Sequence, residues 1–457
     1  MNGVRAIVRD ERGVAVVLGL VALLALTALV LAFLGMSAFE PQISANLVAA
    51  SQARYLAEAG IEAAFDGLAL NADWNTALTG ASCSTGVVAP GTTQNSTLPG
   101  LTSASGSYTV LVRNDCFGGN ASISADTVIT GLAALDASPT IETNSRLMLV
   151  STGTIGNATR TIKVVVKKIQ LPTLNGALTF PGLNSDIDFS GSSFTIRGQD
   201  TNVDLSNGPA APVYGIAVGD NSNSNLSNVR TALANNQQNS VSGKDASDDP
   251  SPPNTFTNGV RTAAGDYAAA FDNTLTSQAI TDFVNAVKGS ADLTVNAPKP
   301  SGGGAAVSLQ NIGNSCASSL TDSNCWGTDA NPKIVYVKGN TTTNPSSEYT
   351  AVKLTGNSSG TGILVIENGS FEVEGSFTWK GPIIVQGNNV KLRYSGGGDK
   401  NMFGSVIVNE LVPNGSTNLE AEISGNAKIF YSTEALAIAM NGIGGRRLMS
   451  LYNWQEQ

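Results

Sequence analysis

The chain has 457 residues, a net charge of −9 and no histidine, which removes Ser-His-Asp and Cys-His catalytic sets and histidine-containing zinc sites in one step. Charged residues make up only 13% while Gly, Ser, Thr and Asn abound, the profile of an extracellular, loop-rich β protein rather than a cytosolic enzyme. An acidic chain of this kind is a poor nucleic-acid binder, because phosphate binding needs clustered Lys and Arg, and its length allows two or three domains.

A short charged leader, residues 1–13, opens the chain. Val14 to Phe39 then reads VAVVLGLVALLALTALVLAFLGMSAF, 26 residues without a charge. At about 1.5 Å per residue this crosses a bilayer core of roughly 30 Å, and it exceeds the apolar region of a secretory signal peptide, on the order of 7–15 residues. Arg5, Arg9 and Arg12 precede it and the next basic residue is Arg54, so the positive-inside rule keeps the N-terminus cytoplasmic and exports the rest. The helical pattern does not stop at the span. Leu47, Val48, Tyr55, Leu56, Ile61, Phe65 and Leu68 recur at helical spacing on an alanine-rich background. One helix is expected over 14–70, roughly 85 Å long, with Pro41 kinking it or starting a new one. Arg54 and Glu58, four apart, form a weak surface pair.

Glu11-Arg12-Gly13 ahead of the apolar run, Arg12-Gly13-Val14-Ala15 across its start, and Ala57-Glu58-Ala59-Gly60 on the amphipathic half resemble the N-terminus of type IV pilin-like proteins, and more closely the PilX-type minor pilin family. The resemblance covers about the first 70 residues. It implies cleavage between Gly13 and Val14 by a prepilin peptidase, methylation of the new amine, passage through the inner membrane, and bundling of the helix with other pilin subunits in an extracellular pilus. Two positions depart from the pattern. Val14 stands where pilins have Phe or Met, and Leu18 where major pilins carry a Glu thought to pair with a neighbour's N-terminal amine. The missing Glu resembles minor pilins at a filament tip, where no subunit lies above.

Residues 71–172 read as a small β-rich head. SYTVLVRND (107–115), SRLMLVSTGTIG (145–156) and TRTIKVVVKKI (159–169) are rich in β-branched residues and bounded by Gly and Asn, and the last two look like a hairpin. Their sheet is expected on the helix near Ala63 and Ala64. The four cysteines fall as two local pairs, Cys83 with Cys116 and Cys316 with Cys325; in an exported protein these suggest disulfides, with free thiols as the alternative.

Residues 173–457 form the second domain. FTIRG, GIAVG, KIVYVKGN, GILVIENG, GPIIVQGN, GSVIVNE and AKIFYS are short strands ending in Gly or Asn, and Ile363, Ile383, Val406 and Ile429 recur about every twenty residues. This spacing predicts a parallel β-solenoid, with Ile, Val and Leu inside and Gly and Asn at left-handed corners; a β-sandwich is the competing fold. An insertion over 225–300 interrupts the strands. It carries a polar loop, SVSGKDASDDPSPPNTF, and then a helix whose apolar face is Tyr267, Phe271, Leu275, Ile280, Phe283 and Val287, expected to cap or flank the coils, with a ligand lid as the alternative. The fold class is therefore α+β: a long transmembrane and amphipathic helix, a small antiparallel sheet, then a mainly-β domain.

Candidate chemistry is sparse. Glu372 and Glu374 share one side of a strand, and Lys391, Arg393, Asp399 and Lys400 lie in KLRYSGGGDK. Such groups serve some glycan-active solenoids, but they are also what any solvated strand face shows, and the chain is expected not to be an enzyme. SGGGDK lacks the strand and helix context of a phosphate loop. No cofactor is expected. Asp245, Asp248 and Asp249 offer oxygens to calcium, against the plainer reading of a solvated linker. Leu448, Leu451, Tyr452 and Trp454 would seal the last coil, with contact to a partner subunit as the alternative. Together these features point to a minor pilin-like subunit at the tip or in assembly initiation, with a C-terminal domain contacting a surface, glycan or cell. The competing class is a single-pass anchored envelope binding protein, or a glycan-active enzyme, outside any filament.

Overall fold

The computed structural model describes residues 11–71, 73–100, 102, 105–116, 132, 135–191, 193–220, 222, 224–234, 236–237, 240–244, 269–340, 348–411, 419–443 and 448–456. The chain divides into two compact units: Met1–Leu68 with Asp73–Val166 and Leu451–Gln457, and Ala69–Ala72 with Lys167–Ser450.

In the first unit, helix α1 (Glu11–Ala69) runs unbroken through Pro41. Of the kink or restart expected at Pro41, the restart does not occur; the proline removes one backbone donor, yet the helix continues on both sides. A short helix, α2 (Trp74–Ala77), follows. The sheet holds β1 (Val87–Val88), β2 (Ser107–Asn114), β3 (Arg146–Ile155), β4 (Ala158–Lys168) and, at its edge, the chain's last strand, β22 (Met449–Glu456), in that order. β2 pairs antiparallel with β3 from Ser107↔Thr154 to Asn114↔Leu147. Ala53, Leu56, Ala57, Ile61, Ala64 and Leu68 form the buried stripe of α1, and Val110, Val112, Leu147, Leu149, Ile162 and Val164 are buried on the strands. Cys83 and Cys116 are joined by a disulfide that packs with Met148 and Val165.

The second unit is mainly parallel sheet. One sheet runs, in order, Ala269–Phe271 (β10), Tyr214–Val218 (β8), Gly176–Phe180 (β5), Lys400–Glu410 (β19), Ser376–Gly387 (β17), Asn357–Glu367 (β15), Lys333–Lys338 (β13) and Leu293–Asn296 (β11). Thr195–Arg197 (β7), Val241–Ser242 (β9) and Ala427–Tyr431 (β21) pair off its side. The other runs Val307–Gln310 (β12), Thr350–Thr355 (β14), Ser370–Glu374 (β16), Leu392–Ser395 (β18), Ala421–Ser424 (β20) and Ile187–Ser190 (β6). From β11 to β20 the chain alternates between the sheets, advancing one strand in each. Its last strands then meet its first: β19 pairs with β5, β20 with β6 and β21 with β7, all parallel. Neither sheet closes on itself among the described residues.

The glycines after the strands have a defined task. β14, β16, β18 and β20 each end immediately before a glycine of positive φ, namely Gly356, Gly375, Gly396 and Gly425. At Gly375 a Cβ would lie 2.6 Å from the carbonyl oxygen of Gly356, so that corner accepts no side chain. Asn368 and Asn389 take left-handed conformations after β15 and within the turn after β17.

Between the two sheets lies the main core, which includes Leu364, Ile383, Val406, Phe371, Trp379 and Tyr394. The far side of the first sheet is buried as well. Ile334, Ile363, Val365, Ile384 and Ile407 pack there with Leu275, Ile280, Phe283, Val284 and Val287, and with Ile443 and Leu448. Ile280 to Val287 come from helix α4 (Ser277–Val287), whose end Thr276 caps by accepting from the amide of Ala279. Helices α3 (Asn225–Ala232) and α5 (Thr433–Gly442) complete the unit.

Four expectations change. The interior column is Leu364, Ile383 and Val406; Ile363 faces outward, and Ile429 pairs with Met402 rather than extending the column. The segment 225–300 is not strand-free, because β9, β10 and β11 all join the first sheet. The helix expected from Tyr267 begins only at Ser277; Phe271 ends a strand, and Asp272 turns the chain by accepting from Thr274. Tyr267 lies outside the described residues. The tail does not seal a coil as a whole: Leu448 packs in the second unit, while Leu451, Tyr452 and Trp454 stand exposed on β22.

Candidate functional site

The first candidate is α1. Its described residues 15–69 make the helix long and apolar enough to cross a membrane, and its apolar window is fully exposed among the described residues. Exposure continues beyond Phe39 through Ile43, Leu47, Val48 and Tyr55. The helix is thus two-faced only in its second half. Gly13 and Val14 lie near its start.

Ala57-Glu58-Ala59-Gly60 divides between packing and charge. Ala57 is fully buried. A Cβ on Gly60 would lie 2.4 Å from Ser151 Oγ and 2.9 Å from atoms of Tyr108 and Val110. On the facing strand β3, a Cβ on Gly153 would lie 2.1 Å from the carbonyl oxygen of Ala53. Two glycines therefore let helix and sheet approach to backbone contact. Glu58 points away and accepts from Arg54 Nε at 3.0 Å, and Arg54 also meets Glu456 of β22 at 3.4 Å. All three are solvated, so the triad contributes little to stability.

The second candidate is the outer face of the second sheet. The register places Lys353, Glu372, Arg393, Glu422 and Asp188 opposite one another on successive strands. Lys353 Nζ lies 3.5 Å from Glu372 and 2.7 Å from Glu374. Arg393 lies 3.5 Å from Glu372 and 3.3 Å from Glu422. Lys391 reaches Glu348 at 3.3 Å and Glu422 at 3.7 Å. A cleft of about 540 Å³ opens over this row, walled by Lys299–Ala305 with Gly302, Gly303 and Gly304, and floored by Lys353, Glu372, Glu374 and Arg393. The hydrogen bond from Lys353 holds the Glu374 carboxyl below its ordinary range, and the same bond raises the Lys353 ammonium.

Glu372, Glu374, Lys391 and Arg393 therefore come together, whereas Asp399 and Lys400 do not join them. Lys400 is fully buried, with Nζ donating to the carbonyls of Gly396 and Gly398 at 3.0 Å each, and burial lowers its pKa. It braces the triple-glycine turn. Asp399 lies 3.9 Å from Lys428. Lys353 and Glu422 belong to the row but carry no local signal, since they sit on different strands, β14 and β20, and Glu348 reaches Lys391 from just before β14.

Cys316 and Cys325 form a disulfide that closes the loop before β13. Asp245, Asp248 and Asp249 lie outside the described residues. Among the described residues, no group of three or more His, Cys, Asp or Glu is placed to hold a metal ion.

No family model and no curated protein matches the chain. Among solved structures, the competence-associated pilin ComZ from Thermus thermophilus aligns over 90% of this chain and 98% of its own, at 14% identity and a TM-score of 0.21. A likeness at that score carries no argument about fold or function.

Proposed function

We propose that this chain is a PilX-type, minor pilin-like subunit of a bacterial type IV pilus or related filament, placed at the tip or in assembly initiation. The observation that carries the reading is α1. Its first half is an apolar surface left exposed among the described residues, and its second half lies on a small sheet through Ala57 and Gly60. A helix built this way needs a bilayer or other helices around it. In this reading a prepilin peptidase cuts between Gly13 and Val14 and the new amine is methylated. The head leaves the inner membrane for an extracellular pilus, where α1 bundles with other pilin subunits. Leu18, in place of a charge that would pair with a subunit above, supports the tip.

The second unit, in the same reading, is a parallel β-solenoid that makes contact with a surface, glycan or cell. It binds rather than catalyses and needs no cofactor. Supporting this are the all-parallel register and the ion-paired carboxylates of the cleft. Asp245, Asp248 and Asp249 are the residues that would offer oxygens to calcium.

The test is the mass of the mature N-terminus after expression with and without a prepilin peptidase. An N-methylated Val14 is expected. An intact Met1 terminus beside active peptidase would overturn the reading in favour of a permanently anchored envelope protein. The contact role is tested separately. Ile169 donates its amide to the carbonyl of Leu448 at 2.6 Å, so the second unit begins and ends at neighbouring points. Residues 170–447 can be replaced by an Asn-Gly turn that keeps β22 beside β4. Pili should still form and attachment should be lost; unchanged attachment would refute the contact role.

A further inference from the structure

Resting on that contact role and going beyond it, we propose that the cleft on the outer face of the second sheet binds a neutral, hydroxyl-rich oligosaccharide rather than an ion.

Three features lead there. The first is charge balance. Lys299, Lys353 and Arg393 line the cleft together with Glu348, Glu372 and Glu374, three cations against three carboxylates. No excess of either sign remains to select a charged ligand. An ionic ligand would also have to break the contacts that Lys353 and Arg393 already make with Glu372 and Glu374. A hydroxyl does not. It donates to a carboxylate oxygen or accepts from a guanidinium or ammonium while the ion pair stays closed.

The second feature is spacing. Lys353, Glu372 and Arg393 are in register on adjacent parallel strands, so donor, acceptor and donor recur about every 4.8 Å across the sheet. That is close to the length of one pyranose residue. A glycan laid across the strands would present hydroxyls to successive rungs. The ion pairs hold the side chains in place beforehand, which reduces the entropy lost on binding.

The third is the wall. A Cβ on Gly302, Gly303 or Gly304 would meet nothing within 4 Å, so this segment leaves the space above the floor open. At about 540 Å³ the cleft falls within the range of small-ligand sites, roughly 300–1,000 Å³.

The experiment is calorimetric titration of the full chain in non-glycosidic detergent micelles. The neutral probes are cellohexaose, chitohexaose and maltohexaose; the charged probes are a galacturonic acid hexamer and calcium chloride. At least one neutral hexamer should bind saturably, and at least tenfold more tightly than the acidic hexamer. Gly303→Trp, which puts a bulky ring on the glycine wall of the cleft, and Arg393→Gln should each weaken binding at least tenfold. Lys428→Gln, outside the cleft, should leave it unchanged. Thermal unfolding of each variant checks that the fold survives. Absence of saturable binding by every neutral hexamer, preference for the acidic hexamer, or full binding by a folded Gly303→Trp variant would overturn the proposal. If excision of residues 170–447 abolishes attachment while no hexamer binds, the contact role stands and only this cleft falls.

Discussion

Gly60→Ala sets two effects against each other at one helix position. On an isolated helix the change is favourable, because alanine is better than glycine by about 0.8–1.0 kcal/mol. At Gly60 the new methyl would sit 2.4 Å from Ser151 Oγ and 2.9 Å from the Tyr108 ring and the Val110 methyl. Each separation is well inside van der Waals contact, and Tyr108 and Val110 belong to a paired strand that cannot retreat. Overpacking of this kind costs about 1–3 kcal/mol. The clash should therefore win, for a net loss of about 1 kcal/mol in the first unit. Ser151→Ala supplies the complementary test. Its buried hydroxyl has no hydrogen-bond partner among the described residues, so deleting it costs little and removes the tightest contact. The double variant should recover most of the lost stability. Amide hydrogen exchange of β2 and β3 in the full chain reads this locally, as a roughly fivefold fall in protection for Gly60→Ala that Ser151→Ala reverses. Higher protection in Gly60→Ala, or no recovery in the double variant, would refute the close-approach account of this glycine.

Further predictions concern the stability of each unit. Burial raises the Glu410 carboxyl to about 7 and the Glu420 carboxyl to about 8. The folded state then holds more protons than the unfolded state above about pH 4.5, so stability of the second unit should fall by a few kcal/mol between about pH 5 and 8. Urea unfolding across that range should show the decline, and Glu420→Gln should flatten it; a rise with pH would contradict the assignment. Lys400→Ala leaves the Gly396 and Gly398 carbonyls without their donor and opens a cavity, at a cost of about 2–4 kcal/mol that exchange in β17 and β19 should report. Cys83→Ala with Cys116→Ala should cost the first unit about 4 kcal/mol by loop entropy, seen as a lower urea midpoint, whereas an unchanged midpoint would mean the bond is dispensable.

What could be read from the sequence follows from how local each constraint is. A charge-free run of helical spacing declares itself, and α1 is present from Glu11 to Ala69. The Gly and Asn punctuation of the second unit was legible for the same reason. A corner that needs positive φ selects its residue locally, and Gly356, Gly375, Gly396 and Gly425 occupy one such corner. Phase within the strands was not legible. The first sheet is buried on both faces, so Ile363, Leu364, Val365 and Ile366 are all apolar and no alternation distinguishes inside from outside. Ile363, which carries the twenty-residue spacing, therefore lies one residue out of phase with the interior column of Leu364, Ile383 and Val406. The row of Lys353, Glu372, Arg393 and Glu422 is invisible to any short window, because register between strands assembles it.

The tail is the clearest case of a non-local rule. LYNW looks like an apolar seal, yet as strand β22 it has its partner, β4, on the far side of the entire second unit in sequence. The second unit is an insertion within the sheet of the first, and Ile169 and Leu448 meet where it enters and leaves. Simple truncation at the start of the second unit would strip the head of its edge strand and of the Glu456 contact to Arg54. A loss of pili or attachment in such a truncation would therefore say nothing about the second unit. Only excision that returns the chain to β22 separates what the helix and its sheet do from what the second unit does.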